Sequence, residues 1–165
     1  MKTVMLTGSF DPVTVGHEDV IRRAAAAFDR LRVTVFLNPE KPGMFSSEQR
    51  VGFLRAVTAK YPNVSVDFDS GMVVDYAKRE GIALLLRSLR GVADLDYEMK
   101  MADFNFKHGD IETVFLPGDP TLSDISSSEV RRRILAGEDP SPLLPVEIAS
   151  EIKEISKNLV QKPSF

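Results

Sequence analysis

Cysteine is absent from the 165 residues, and histidine occurs only twice, at His17 and His108. The first absence excludes a disulfide framework, a thiolate zinc site and a cysteine nucleophile; the second leaves little material for a histidine-built metal cage. Any metal is therefore expected to arrive with a substrate. No apolar run reaches the length of a membrane span or a signal-peptide core, which predicts a cytoplasmic protein with no membrane partner. Internal repeats and low-complexity linkers are missing too. A formal net charge of −3 argues against a general nucleic-acid surface while leaving room for a local basic pocket. What remains is ordinary for a globular chain, with 43% hydrophobic and 27% charged residues. The length fits one domain, residues 1–165, that buries roughly two thirds of its unfolded surface.

The patterning alternates between strand and helix periods. Residues 3–6 read as a buried strand, and Val20, Ile21, Ala24 and Phe28 as the apolar stripe of an amphipathic helix. Between them, Gly8-Ser9-Phe10-Asp11-Pro12-Val13-Thr14-Val15-Gly16-His17 forms a strand-to-helix turn. Its glycines permit close backbone approach, and the free N–H groups opening the helix suit a phosphate. His17, with hydroxyls at Ser9 and Thr14, adds a proton-carrying or charge-bearing group to that cradle. A second strand over 32–37 exits into a Pro- and Gly-rich loop, 38–45, carrying Lys41. Ser46, with Gln49 three residues on, is a capping box for a helix to about residue 60.

A third strand is expected over 64–68, then a helix over 72–80 stopped by Gly81. The unalternating run 82–86 (IALLL) reads as a strand covered on both faces, placed at the centre of the sheet. It ends abruptly in Arg87-Ser88-Leu89-Arg90. A long helix over 94–107 carries Leu95, Met99, Met101, Ala102 and Phe106, and its Met and Phe stripe suggests core or subunit contact. A fifth strand over 113–116, a helix opened by a serine box from Ser126 to Glu129, and a terminal helix over 145–159 complete the chain. Arg131-Arg132-Arg133 reads as a helix face making surface pairs.

This alternation predicts an α/β fold, a doubly wound five-stranded parallel sheet with helices on both faces and ligands outside the carboxyl ends of the strands. The chemistry-bearing residues follow those ends: Ser9 to His17 after the first strand, Lys41 after the second, Met72 and Val73 after the third, Arg87 to Arg90 after the fourth, the serines after the fifth. Glycines, hydroxyls and cations converging on one edge describe a pocket for a polyanion.

Thr14-x-Gly16-His17, preceded by Gly8-Ser9-Phe10-Asp11-Pro12, resembles the (H/T)xGH signature of the nucleotidyltransferases. Lys41 in Pro39-x-Lys41-Pro42, Arg87-x-Leu89-Arg90, Ala93-Asp94-x-x-Tyr97-Glu98-Met99, Glu112 to Leu116 and Ile125-Ser126-Ser127-Ser128 extend the likeness over nearly the whole chain. Together they resemble bacterial phosphopantetheine adenylyltransferases. The resemblance implies a Rossmann-like fold, a homohexamer, and transfer of the AMP part of ATP, accompanied by Mg2+, to 4′-phosphopantetheine. The products would be dephospho-coenzyme A and pyrophosphate, with coenzyme A as a candidate inhibitor. It further implies that Ser9, Lys41, Met72, Val73, Arg87 and Asn105 hold the acceptor, Arg87 at its phosphate. Ser9, Phe10, His17, Ser88, Leu89, Arg90, Glu98 and residues Leu122, Ser123, Asp124, Ile125, Ser126, Ser127 and Ser128 would lie on ATP.

The residue types suit that reaction. A phosphate oxygen of the acceptor is already a nucleophile, so the site needs placement and charge stabilisation rather than a catalytic triad. His17, Lys41 and Arg90 are the expected catalytic groups, His17 and Lys41 at the reacting phosphorus, with Arg87 and Arg90 neutralising the acceptor and the leaving pyrophosphate. Three departures mark this chain: Ser88 where the family has glycine, Leu122-Ser123-Asp124 where it has aromatics, and Phe104 and Phe106 flanking Asn105. A sister nucleotidyltransferase with another phosphate acceptor, and a catalytically silent nucleotide-binding module, are the alternatives.

Overall fold

The computed structural model describes residues 2–37 and 42–160. Its elements alternate in chain order: β1 (Thr3–Gly8), α1 (Val15–Ala27), β2 (Arg30–Phe36), α2 (Ser47–Thr58), β3 (Val64–Asp69), α3 (Val73–Arg79), β4 (Leu84–Leu89), α4 (Val92–Gly109), β5 (Glu112–Pro117), α5 (Ser127–Leu135) and α6 (Val146–Val160). The strands form one five-stranded sheet in the order β3-β2-β1-β4-β5, every neighbouring pair parallel. This is the doubly wound, Rossmann-like architecture that the alternation implies.

Local chemistry explains the helix starts. Thr14 caps α1 in a capping box closed by His17, Ser46 caps α2 in a box closed by Gln49, and Ser126 accepts from the Glu129 N–H to cap α5. Past α3, Gly81 has φ +65°, a conformation glycine adopts without the Cβ penalty that other residues meet.

Apolar side chains fill both faces of the sheet. One cluster joins Val4, Leu6, Val33, Val35 and Leu86 to Ile21 of α1, Leu54 of α2, Ile134 of α5 and Ile148 of α6. The opposite cluster packs Met5 and Leu85 against Val74, Tyr76 and Ala77 of α3. Helices α1, α2, α5 and α6 therefore cover one face, with α3 and α4 on the other.

The sheet corrects two expectations. The central strand is β1, and the apolar run 82–86 belongs to β4, between β1 and the edge strand β5. Strand order follows the crossovers, and β1 and β4 are both internal, so apolarity alone does not distinguish them. Second, β4 does not end before Arg87. It continues through Leu89 because β5 supplies partners: Arg87 pairs with Phe115, Ser88 with Leu116 and Leu89 with Pro117. On its other side, the β1–β4 ladder stops at Leu6 and Leu86 although both strands run on. The strands part there, at the point where the order reverses, which is where such sheets open a ligand crevice.

Candidate active site

Two cavities occupy the parting of β1 and β4. The larger, cavity 1, encloses ≈ 550 Å³ and the smaller, cavity 2, ≈ 220 Å³. They share one wall made of Thr7, Gly8, Ser9, Arg87, Tyr97 and Glu98. Two ligands, one per cavity, would meet end to end at that wall.

Cavity 1 gathers the first turn, the β4 exit and the start of α5. Ser9, Phe10 and His17 line it from the turn, and Arg87, Ser88, Arg90 and Glu98 from the β4–α4 side. Ser123, Ser126, Ser127 and Ser128 bring a row of hydroxyls, set beside the apolar Leu122 and Ile125. Cavity 2 takes Ser9, Arg87, Val73 and Asn105. Met72, Leu89 and Asp124 border neither cavity. Lys41 lies outside the described residues.

His17 is the clearest case of function set by local geometry. Its Nδ1 accepts from the Thr14 backbone N–H at 3.1 Å and lies 3.1 Å from the Thr14 hydroxyl. A backbone N–H can only donate, so the ring proton sits on Nε2. The ring meets Phe10 edge-on, with centroids 5.1 Å apart. Burial, reinforced by the positive charge of Arg90, pushes the imidazole pKa down from 6.5 to about 4. His17 is thus a neutral hydrogen-bond donor at neutral pH, which selects the proton-carrying role of the two that the sequence left open for it.

Arg87 is fully engaged. Its Nε and Nη2 donate to the two carboxylate oxygens of Glu98 at 2.8 and 2.7 Å, and Nη1 donates to the Thr7 carbonyl at 2.8 Å and hydroxyl at 3.0 Å. The guanidinium bonds Thr7 just past the point where the β1–β4 ladder stops. The forked pair with Glu98 raises its pKa above the ordinary value. Arg90 is freer: its N–H and Nε contact Asp94 at 3.1 and 3.3 Å, and its side chain is half exposed beside cavity 1.

Beneath the first turn, the buried carboxylate of Asp11 ties three segments together. It accepts from the Met44 and Phe45 N–H groups, both at 2.9 Å, and stands 3.3 Å from Arg50 Nε and 3.6 Å from Arg131 Nη1. Arg50 donates to the Phe45 carbonyl, Arg131 to the Asp11 carbonyl at 2.7 Å, and Ser127 to the Pro12 carbonyl at 2.8 Å. A Cβ at Gly43 would collide with the Arg50 guanidinium, so glycine there is a packing requirement.

Arg131 is the residue that sequence reasoning misplaced. Arg132 and Arg133 make the expected surface pairs with Glu129, and Arg132 with Glu138. Arg131 turns inward, contacts the Ser128 hydroxyl at 3.2 Å and lines cavity 1. Its helical phase could have shown this, since it follows the lining residue Ser127 by one turn. Tyr97, on the shared wall, and Thr7 were likewise assigned no role from sequence; Thr7 meets Arg87 across 80 positions, a pairing that leaves no local signal.

The Cytidylyltransferase-like family pattern matches residues 5–133. A phosphopantetheine adenylyltransferase of Streptomyces coelicolor is 39% identical over 158 residues, covering 96% of this chain and 99% of that protein. A second protein of that name, from Clostridium botulinum, is 41% identical over 155 residues, covering 93% of this chain and 94% of its own length.

Proposed function

We infer that this chain, which belongs to the phosphopantetheine adenylyltransferases within the cytidylyltransferase-like family, transfers the adenylyl group of ATP to 4′-phosphopantetheine, giving dephospho-coenzyme A and pyrophosphate. The observation that carries the reading is the shared wall between two cavities at the parting of β1 and β4. ATP fits the larger, hydroxyl-rich cavity, and the acceptor arm the smaller one.

An oxygen of the acceptor phosphate attacks the α-phosphorus of ATP. The new P–O–P link forms as the α–β bridging bond breaks, and pyrophosphate departs with that electron pair. No side chain needs to form a covalent bond. The Nε2–H of neutral His17 donates to the α-phosphate oxygens, where charge accumulates, and does so without exchanging a proton. Arg90, Arg131 and the N–H groups opening α5 beside Ser126, Ser127 and Ser128 hold the triphosphate. Arg87 reaches the acceptor phosphate by loosening one arm of its fork on Glu98, which keeps the guanidinium positioned between turnovers. Lys41 is assigned to the same phosphates on the family resemblance.

Mg2+ is proposed to enter chelated to the ATP phosphates. Among the described residues no three His, Asp or Glu side chains gather into a cation cage, while Asp94 and Asp119 at cavity 1 offer single carboxylates to a metal held by phosphate. The ion would neutralise charge on the leaving pyrophosphate.

Residues 1–165 are taken as one adenylyltransferase domain working in the cytoplasm; no described helix is long and apolar enough to cross a membrane. Assembly as a homohexamer has support in α4, which exposes Val92, Leu95, Met99 and Phe106 instead of packing them into its own core. Coenzyme A, which keeps the product's two halves, is proposed as an inhibitor at the same cavities. Another acceptor, the alternative left open by the turn motif, is disfavoured by relatives that share nearly the whole chain. Incubating the protein with ATP, Mg2+ and a panel of phosphorylated acceptors, with pyrophosphate release as readout, tests the reading. Turnover is expected with 4′-phosphopantetheine, and turnover confined to a different acceptor would refute it.

A further inference from the structure

Beyond the wall it shares with cavity 1, cavity 2 is lined mostly by carbon, from Phe36, Val73, Leu85, Met101 and Ala102. Thr113 interrupts that lining. It sits on β5 directly across the ladder from Leu85, which lines the same cavity. Its Oγ1 is shut off from solvent and has no hydrogen-bond partner among the described residues. A buried hydroxyl without a partner destabilises the fold. Valine has nearly the same shape and an equal liking for strands, and would carry no such penalty. Among the described residues nothing offsets that cost for the Thr113 hydroxyl. A turn about χ1 exchanges it with the methyl group, and strands accommodate more than one χ1 well.

We propose that Thr113 is a specificity-determining residue of the acceptor cavity, whose hydroxyl turns to meet an amide of the acceptor's arm. Cavity 2 thereby favours a phosphorylated acceptor with an amide-bearing chain over one with a plain hydrocarbon chain. Asn105, also on the lining and only 6% exposed, supplies a second donor and acceptor for the same arm. Either polarity of amide group is served, because a hydroxyl both donates to a C=O and accepts from an N–H. The inference rests on the adenylyl-transfer reading, with the acceptor phosphate at the shared wall and its arm in cavity 2.

Thr113→Val separates a ligand contact from a structural role because its two effects have opposite sign. The KM for 4′-phosphopantetheine is expected to rise about fivefold to tenfold, the worth of one neutral hydrogen bond, with kcat and the KM for ATP unchanged. The urea midpoint of the free variant should shift upward as the orphan hydroxyl is removed. Thr113→Ser, which keeps the hydroxyl, should hold the wild-type KM. Acceptors in which each amide in turn is replaced by an alkyl link should weaken wild type, and for one of them Thr113→Val should add no further loss. An unchanged acceptor KM in Thr113→Val, or the same loss with every analogue, overturns the inference while leaving adenylyl transfer standing. Wild-type protein that does not turn over 4′-phosphopantetheine overturns both.

Discussion

His17 should remain unprotonated well below the pH at which an ordinary imidazole gains its charge, and a titration of its ring tests the site most directly. Burial and the nearby Arg90 charge place its pKa at about 4 instead of 6.5. At about pH 5 an unperturbed ring is ~97% protonated, whereas His17 would be only about one tenth protonated. Because the folded pKa lies below the unfolded one, the unfolded chain binds more protons between the two values. Stability therefore rises with pH across that window, is fully present above the unfolded value and is lost as pH falls toward 4. Between pH 7 and pH 5 the loss from this one group amounts to about 2 kcal/mol.

With only two histidines in the chain, long-range proton–nitrogen NMR resolves both rings, and His17→Gln assigns the signals. The expected result is a ring protonated on Nε2 alone through neutral pH, with its midpoint near 4. Urea unfolding at the two pH values should show His17→Gln losing about 2 kcal/mol less than wild type on acidification. Rate profiles are a poorer probe here, since the acceptor phosphate itself titrates near pH 6. A His17 midpoint near 6.5 would refute the influence of burial and Arg90 on the ring, and a proton on Nδ1 would refute the Thr14 capping geometry and with it the Nε2 donor.

Arg87→Met should destabilise the protein by about 3 to 5 kcal/mol by stranding the buried Glu98 carboxylate, and Arg87→Met with Glu98→Gln should recover most of it in urea unfolding. A double variant as unstable as the single one would mean that the Thr7 contacts, not the ion pair, dominate. Asp11→Asn leaves one of the Met44 and Phe45 N–H groups facing an amide N–H and strips Arg50 of its counter-charge; a loss of about 3 to 5 kcal/mol is expected, and a loss below about 1 would contradict the arrangement. Arg131→Met should raise the KM for ATP by about tenfold or more with little change in the acceptor KM, the cost of one charged hydrogen bond. An equal rise for both substrates would move Arg131 out of the nucleotide cavity. Ser46→Ala should cost about 1 kcal/mol of stability through the lost cap on α2, without altering kcat.

Much of this was legible in the residues because local rules set it. The serine boxes marked the starts of α2 and α5 correctly, and strand–helix alternation gave the parallel sheet along whose carboxyl ends the cavities lie. The charge state of His17 was also within reach: Thr14 and His17 have capping-box spacing, which commits Nδ1 to the backbone and leaves the proton on Nε2. What sequence did not carry were pairings made across distance. Arg87 and Glu98 lie on different elements, and Ser88 and Leu89 are held in β4 by β5, not by their own propensity. The same holds for Asp11, whose partners at Met44, Phe45, Arg50 and Arg131 meet only after folding. Position in the sheet was hidden for a different reason: β1 and β4 are both internal and apolar, and only the crossovers decide which is central.

The wall common to both cavities also constrains how a catalytic cycle ends. With one substrate in each cavity, as proposed, each would leave through its own compartment, whereas the joined product would thread both, so that freeing one half would keep the other at high local concentration beside its vacated seat. On the proposed seating, departure would require the two grips to relax together, which predicts that dissociation, more than bond formation, limits turnover by this architecture.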